Sequence, residues 1–278
     1  MRVGFIGLGS QGAPMARRII EGGYDTTLWA RRPESLEPYA DTAAKTAATP
    51  AEMAADSDLV CLCVVGDDDV RQVLSGDTGV LAGLAPGGII AIHSTIHPDT
   101  CREVSELAAA KGISVIDAPV SGGSPAAEAG TLLVMVGGEE DVVEKCRPVF
   151  ETYANPVVHL GPIGSGQVTK ILNNLMFSAN LGAAMSTLAL GEALGVPRDR
   201  LSQVLTQGSA NSKALGSIAM FGGTLDTLAP IAGALLQKDC RHAESLAKTD
   251  SVDISPGTIP GAVFGTADAA LTLMNHPR

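Results

Sequence analysis

The hexapeptide Gly7-Leu8-Gly9-Ser10-Gln11-Gly12 constrains this chain more than any other feature, because of what stands on either side of it. Val3-Gly4-Phe5-Ile6 before it is an apolar run that reads as a strand, and Ala13 to Glu21 after it has helical periodicity, ended by Gly22-Gly23. In G-x-G-x-x-G between a strand and a helix, the first glycine permits the tight turn and the second lets a pyrophosphate approach the backbone. The third lets helix and strand pack closely. The helix N-terminus adds unpaired N–H groups and a partial positive charge. In this context the pattern predicts a dinucleotide site rather than a bare glycine-rich turn.

The alternation continues. Thr26 to Trp29, Leu59 to Val65, Gly88 to Ile92, Ile113 to Asp117, Leu132 to Val136 and Val157 to Leu160 read as further strands, with helical stretches between them. Leu59 to Val65 is continuously apolar, as expected of a strand covered on both faces. This predicts an α/β fold with a Rossmann-type, doubly wound, mostly parallel sheet. The pattern then changes. Gly166 to Leu194 is one long helical stretch with Gly195 and Pro197 as stop signals, and Arg198 to Gln207, Ala232 to Ala247 and Ile259 to Met274 are helical too. The chain is therefore expected to hold a dinucleotide-binding domain, residues 1–162, and an all-α domain, residues 163–278, built on one long helix.

Composition narrows the function. The 278 residues are 45% hydrophobic and 18% charged, which suits a globular protein of two domains. A net charge of −11 opposes general binding to nucleic acid or anionic lipid, although a local cradle of N–H groups can still hold a phosphate. No apolar stretch is long and uninterrupted enough to span a bilayer. The five cysteines, Cys61, Cys63, Cys101, Cys146 and Cys240, are odd in number and lack metal-ligand spacing, so reduced thiols and no metal site are expected. With Met1-Arg2 leading straight into a strand, a cytoplasmic location is expected.

Which dinucleotide binds depends on the end of the second strand, Leu28-Trp29-Ala30-Arg31-Arg32. An NAD site usually places Asp or Glu there to hold the ribose hydroxyls. Here Ala30 takes that place and two arginines follow, which suits a 2′-phosphate. NADP is expected ahead of NAD; NAD remains open if Arg31 and Arg32 are simply solvated.

Lys170 and Asn174 are four residues apart at the start of the long helix and share one otherwise apolar face. Removing hydride from an alcohol leaves a hydroxyl proton that needs an acceptor. A neutral lysine can accept it, provided its pKa falls from ~10.4 towards the working pH through desolvation or a nearby positive ring. Ser121, Gly122 and Gly123, in the turn after Ile113 to Asp117, lie where open parallel sheets bind ligands and offer a hydroxyl and two N–H groups to a carboxylate. Ser94-Thr95 has the same positional logic. Lys238-Asp239 on a late helix stays ambiguous.

Together these segments resemble the β-hydroxyacid dehydrogenase family over nearly the whole chain, in family order: Gly4 to Gly9 with Gly12 and Met15, Ser94-Thr95, Asp117 to Gly123, Gly164 to Asn174, and Lys238-Asp239. The resemblance implies Lys170 as general acid/base, with Ser121, Gly122, Gly123 and Asn174 on the substrate. It implies Thr95 and Lys238 on the cofactor or active site, Val64 and Val65 along the nucleotide cleft, and Arg31 with NADP use. It also implies homodimers or homotetramers packed through the long helix, and a small hydroxy or aldehyde acid as substrate. Gln11 departs from a frequent Met, and Val64-Val65 from a frequent Leu-Pro. An imine reductase, or a non-catalytic nucleotide-sensing or scaffold protein on the same fold, are the alternatives; relatives of both kinds tend to lack the lysine that this chain keeps.

Overall fold

The computed structural model describes residues 1–275, which divide into two compact units, Met1–Lys170 and the chain from Ile171 onward. Six strands of the first unit, β1 (Val3–Ile6), β2 (Thr26–Trp29), β3 (Lys45–Thr46), β4 (Leu59–Leu62), β5 (Ile89–Ile92) and β6 (Ser114–Asp117), pair in parallel in the order β3-β2-β1-β4-β5-β6. Five helices connect them: α1 (Gly12–Glu21), α2 (Pro50–Ala55), α3 (Asp67–Leu74), α4 (Val80–Gly83) and α5 (Pro98–Ala109). Side chains alternate between faces along a strand, and the central strands are apolar at every position. Phe5, Leu59, Cys61 and Ala91 accordingly join one hydrophobic cluster with Met15, Ile19 and Leu28, while Ile6, Val60, Leu62, Ile90 and Ile92 join a second with Met53 and Val70. The order reverses between β1 and β4, and open sheets of this kind bind ligands in the crevice beyond those strand ends. This is the doubly wound sheet expected from the sequence.

Two strands expected to extend that sheet do not. The structure contains β7 (Val120–Ser121), α6 (Gly123–Glu128), β8 (Leu132–Val136), α7 (Glu140–Phe150) and β9 (Ala154–His159), and the three strands form a separate sheet in the order β7-β8-β9. β7 runs antiparallel to β8 and β8 parallel to β9. Parallel pairing needs a crossover of about a dozen residues or more. The six-residue α6 turns the chain straight back instead. The two-residue β3 had no apolar signal, since both its residues are exposed.

The second unit is helical among its described residues. α8 (Ser165–Ala193) starts in the first unit and is followed by α9 (Arg198–Gln207), α10 (Lys213–Met220), α11 (Leu228–Thr249) and α12 (Ile259–Asn275). Ile171, Leu181, Leu188, Ile218, Leu236 and Ala270 form its core. Gly182 lets α8 and α12 touch: a Cβ there would lie 2.1 Å from the Thr266 carbonyl oxygen. α10 was not anticipated from the sequence. Among the described residues no helix is long and apolar enough to cross a membrane.

The two sheets of the first unit are joined by a buried histidine. His93 follows β5 and is 3% exposed; its Nδ1 lies 2.7 Å from the Ala118 carbonyl oxygen and its Nε2 lies 3.2 Å from the Tyr153 hydroxyl. Neutral imidazole satisfies both, donating from Nδ1 and accepting at Nε2. Burial pushes its pKa down from 6.5 to about 4. A lowered folded-state pKa contributes stability that is complete above pH 6.5 and is lost as pH falls through about 4, up to roughly 3 kcal/mol. In urea unfolding across that range, wild type should lose this increment relative to His93→Gln as pH falls. A stability difference independent of pH would show that His93 is not held neutral.

Candidate active site

The turn after β1 separates three glycines by what each must avoid. Gly7 has φ +101° and a Cβ there would lie 2.2 Å from the Cys63 carbonyl oxygen; at Gly12 a Cβ would lie 2.0 Å from that of Gly7. Both are required by packing within the protein. A Cβ on Gly9 would meet nothing within 4 Å, and Gly9 is not among the glycines with positive φ. The fold itself therefore does not need glycine at position 9. The open space at the head of α1, beside N–H groups that lack helical partners, suits a phosphate. The side-chain nitrogen of Gln11 is buried with no hydrogen-bond partner among the described residues, as a donor facing a ligand would be.

Beside this turn lies a cavity of about 340 Å³ whose lining includes Gly7, Gly9, Trp29, Arg31, Val64 and Asp69. Leu8, Arg32 and Val65 also line it, so most of the predicted nucleotide residues converge on one space. Ser10, Gln11 and Gly12 are not part of its lining and continue the turn into α1. Arg31 extends to the first turn of α3, where its Nη2 lies 2.7 Å from Asp69 Oδ1 and 3.2 Å from Gln72 Oε1. These residues fit a dinucleotide: a glycine cradle for the pyrophosphate and a cationic side chain at the far end of an apolar cleft.

At the carboxyl ends of β4, β5 and β6 a hydrogen-bond network ties the sheet to the head of α8. Asp117, which closes β6 after the apolar Val115 and Ile116, is fully buried. Its Oδ1 accepts from the Gly164 N–H at 2.6 Å and its Oδ2 from the Gln167 N–H at 2.7 Å. Two of the four N–H groups that a helix start leaves unpaired are thus capped from a strand about fifty residues earlier in the chain. Gly137 and Gly166 make room, since a Cβ at either would lie 2.4 or 2.8 Å from an Asp117 carboxylate oxygen. Burial raises the Asp117 pKa to about 6, against the lowering effect of the backbone donors.

Gln167, also fully buried, continues the network. Its Nε2 donates to the Ser94 carbonyl oxygen at 2.7 Å and its Oε1 accepts from the Ile96 N–H at 3.2 Å. The segment around the half-buried Thr95 is held between these two bonds. Ser94 Oγ in turn accepts from the Val64 N–H at 2.8 Å, on the cavity wall. Lys170 is one helical turn beyond Gln167 and is 9% exposed. Ser121 lies in β7, and Gly122 and Gly123, with φ of +134° and +73°, lead into α6.

In the second unit, Asn174 Nδ2 donates to Asp239 Oδ2 at 2.5 Å, and Asp239, 3% exposed, lies 3.5 Å from Lys238 Nζ. Asp117, Gln167 and Asp239 stand in segments that carry the family resemblance, but the sequence assigned none of them a role. The available signals were an acid after the apolar pair Val115-Ile116, a glutamine one turn ahead of the lysine, and an acid three residues beyond Leu236 on a helix whose buried face it shares. Among the described residues no cluster of His, Cys, Asp or Glu could hold a metal ion.

Comparison with known proteins agrees with this geometry. Residues 2–161 match the NAD-binding domain of 6-phosphogluconate dehydrogenase, and residues 164–273 match the NAD-binding family of NADP-dependent 3-hydroxyisobutyrate dehydrogenase. An NAD-dependent L-serine dehydrogenase of Pseudomonas aeruginosa is 30% identical, covering 95% of this chain and 91% of the relative. A 3-hydroxyisobutyrate dehydrogenase of the same organism is 35% identical over 77% of this chain and 72% of its own. The solved Mycobacterium tuberculosis 3-hydroxyisobutyrate dehydrogenase with L-serine superposes with a TM-score of 0.84 at 28% identity, covering 99% of this chain and 95% of that one. An imine reductase of Myxococcus stipitatus, 20% identical with a TM-score of 0.67 over 99% of this chain and 92% of that one, shares the fold.

Removing the Asp117 carboxylate leaves two buried N–H groups without acceptors, each costing about 1–3 kcal/mol. Asp117→Ala should therefore lower unfolding stability at pH 7 by about 2–5 kcal/mol in urea titration. The elevated pKa adds a pH-dependent increment to these bonds, complete below pH 3.8 and lost as pH rises through about 6, so the deficit of Asp117→Ala should be larger below pH 3.8 than at pH 7. A loss under about 0.5 kcal/mol, the range of ordinary surface changes, would show that the capping bonds do not hold α8 in place.

Proposed function

Because this chain belongs to the β-hydroxyacid dehydrogenase family, we propose that it interconverts a small 3-hydroxy acid and the matching semialdehyde, using NADP(H) in preference to NAD(H). L-Serine and 3-hydroxyisobutyrate, after which two of its relatives are named, both carry a primary alcohol one carbon removed from the carbon bearing the carboxylate. That shared arrangement defines the substrate class assigned here. By function the chain is divided into a dinucleotide domain, residues 1–162, and a second domain from residue 163 onward, while the compact units divide later, at Lys170 within α8.

The cofactor, when bound, accepts or supplies the hydride. Gly7, Leu8, Gly9, Ser10, Gln11 and Gly12 hold its pyrophosphate, Val64 and Val65 flank it, and Arg31 and Arg32 meet the 2′-phosphate. Thr95 and Lys238 complete its surroundings. Lys170 Nζ takes the hydroxyl proton as the alcohol becomes a carbonyl and returns it in the reverse direction. Ser121 Oγ and the N–H groups of Gly122 and Gly123 bind the carboxylate. An amide nitrogen has two hydrogens, so Asn174 can give one to Asp239 and the second to a substrate oxygen. The observation that carries this reading is the burial of Lys170 one turn beyond a helix start fixed by Asp117 and Gln167.

The assembly is assigned as a homodimer or homotetramer packed through α8, supported by the exposed Leu172, Met176 and Leu190 along that helix and Leu194 just beyond its end. A reducing, cytoplasmic setting is supported by five free cysteines, four of them buried. Its partners are the small acid and further copies of itself, not nucleic acid or membrane.

Following NADPH and NADH consumption with a panel of small aldehyde and keto acids tests the activity. Turnover of a 3-carbon or 4-carbon semialdehyde acid is expected; tight cofactor binding without any turnover would contradict it. Lys170→Ala should cut turnover by about two to four orders of magnitude while cofactor binding persists, and undiminished turnover would remove Lys170 from its role. Gly9→Ala should weaken cofactor binding at least about tenfold with an unchanged melting temperature, because the added methyl occupies space that only the ligand uses. Equal cofactor affinity would show that the pyrophosphate lies elsewhere.

A further inference from the structure

The guanidinium assigned to the 2′-phosphate already has an anionic partner. Arg31 Nη2 lies 2.7 Å from Asp69 Oδ1, and both side chains line the cavity beside the glycine turn. Gln72 adds an acceptor at 3.2 Å. Asp69 is less exposed than Arg31, 27% against 60%, and is fixed in the first turn of α3, where the helix dipole favours a carboxylate. In this pair, therefore, the anchored member is the acid and the mobile member is the arginine. A phosphate monoester entering this end of the cavity must draw Arg31 away from Asp69 and remain beside a fixed negative charge. An unsubstituted ribose offers hydroxyl donors, which a carboxylate accepts.

From this geometry we propose that Asp69 is a specificity-determining residue, competing with the 2′-phosphate for Arg31 and so restraining the preference for NADP that Arg31 confers. The proposal rests on the reading that Arg31 contacts the 2′-phosphate. Arg31 and Asp69 then act in opposite directions: the arginine favours the phosphorylated dinucleotide, and the acid reduces that advantage and favours the ribose hydroxyls. A chain with this pair uses both dinucleotides, with a ratio set by the strength of one exposed ion pair. Such pairs weaken with salt, so the ratio is sensitive to ionic strength.

Direct titration of NADPH and NADH into the full chain, without substrate, followed by calorimetry or nicotinamide fluorescence, reads the two affinities independently of turnover. Asp69→Asn keeps the shape and removes the charge. It should tighten NADPH about three- to tenfold and leave NADH unchanged or weaker. Asp68→Asn is the control, because Asp68 occupies the same helical turn but faces Arg71 rather than Arg31. It removes the same unit of charge and should leave the NADPH-to-NADH ratio unchanged. A ratio unaltered in Asp69→Asn, or altered equally in both variants, would overturn the role of Asp69. Arg31→Ala separates the two levels: it should weaken NADPH about tenfold or more with little effect on NADH. Equal losses for the two dinucleotides would overturn the reading of Arg31 itself, and the competition with it. A selective loss in Arg31→Ala alongside an unaltered ratio in Asp69→Asn would overturn the competition alone.

Discussion

A buried carboxylate at the end of a strand and the start of a long helix govern one another in this protein. Asp117 sits without solvent exposure at the carboxyl edge of the parallel sheet, a position where an isolated anion would be costly. It is tolerated because α8 presents its unpaired N–H groups to it, and α8 begins where it does because those groups need an acceptor. The arrangement fixes both the position and the rotation of the first turn of α8. Gln167 then extends the constraint sideways to the chain after β5, and Ser94 carries it on to Val64 after β4. Three strand ends and one helix start are thereby locked into a single framework, and Lys170 projects from the next turn of that helix.

The glycines show how closely this framework is packed. Gly7, Gly12, Gly137 and Gly166 are each excluded from bearing a side chain by an atom of the protein itself, whereas Gly9 is not. The distinction separates glycines that build the scaffold from one that leaves room for a ligand. It also reconciles an acidic protein with an anionic cofactor. The net charge of −11 acts at long range and is screened, while the proposed pyrophosphate cradle would act at short range through backbone N–H groups. Near Arg31 the two scales meet, since Asp69 in the first turn of α3 is paired with the cation proposed to meet the nucleotide.

Much of this was legible before any coordinates. The strand, turn and helix around Gly7 to Gly12 follow from local pattern alone, and so do the central strands β1, β4 and β5, whose apolar runs suit only a sheet covered on both faces. α9 falls on the helical stretch read over Arg198 to Gln207, directly after the stop signals Gly195 and Pro197. The separate sheet of β7, β8 and β9 was not legible. Its strands look like further parallel strands until the shortness of α6 is weighed, and pairing partners are not written in periodicity. Lys170 and Asn174 were visible as a polar pair on an apolar helical face. The bonds that hold them, made by Asp117, Gln167 and Asp239, were not, because their partners are distant in sequence and only folding brings donor and acceptor together.

The central claim is that this framework delivers the Lys170 amine to the reacting oxygen. A crystal structure of the wild-type protein with a nicotinamide dinucleotide and a non-reacting 3-hydroxy acid analogue tests it most directly. The account requires Lys170 Nζ within hydrogen-bond distance of the analogue's hydroxyl oxygen, with Asp117 still accepting from Gly164 and Gln167. An amine turned into bulk water, or an analogue bound with its hydroxyl against some other proton carrier, would contradict it.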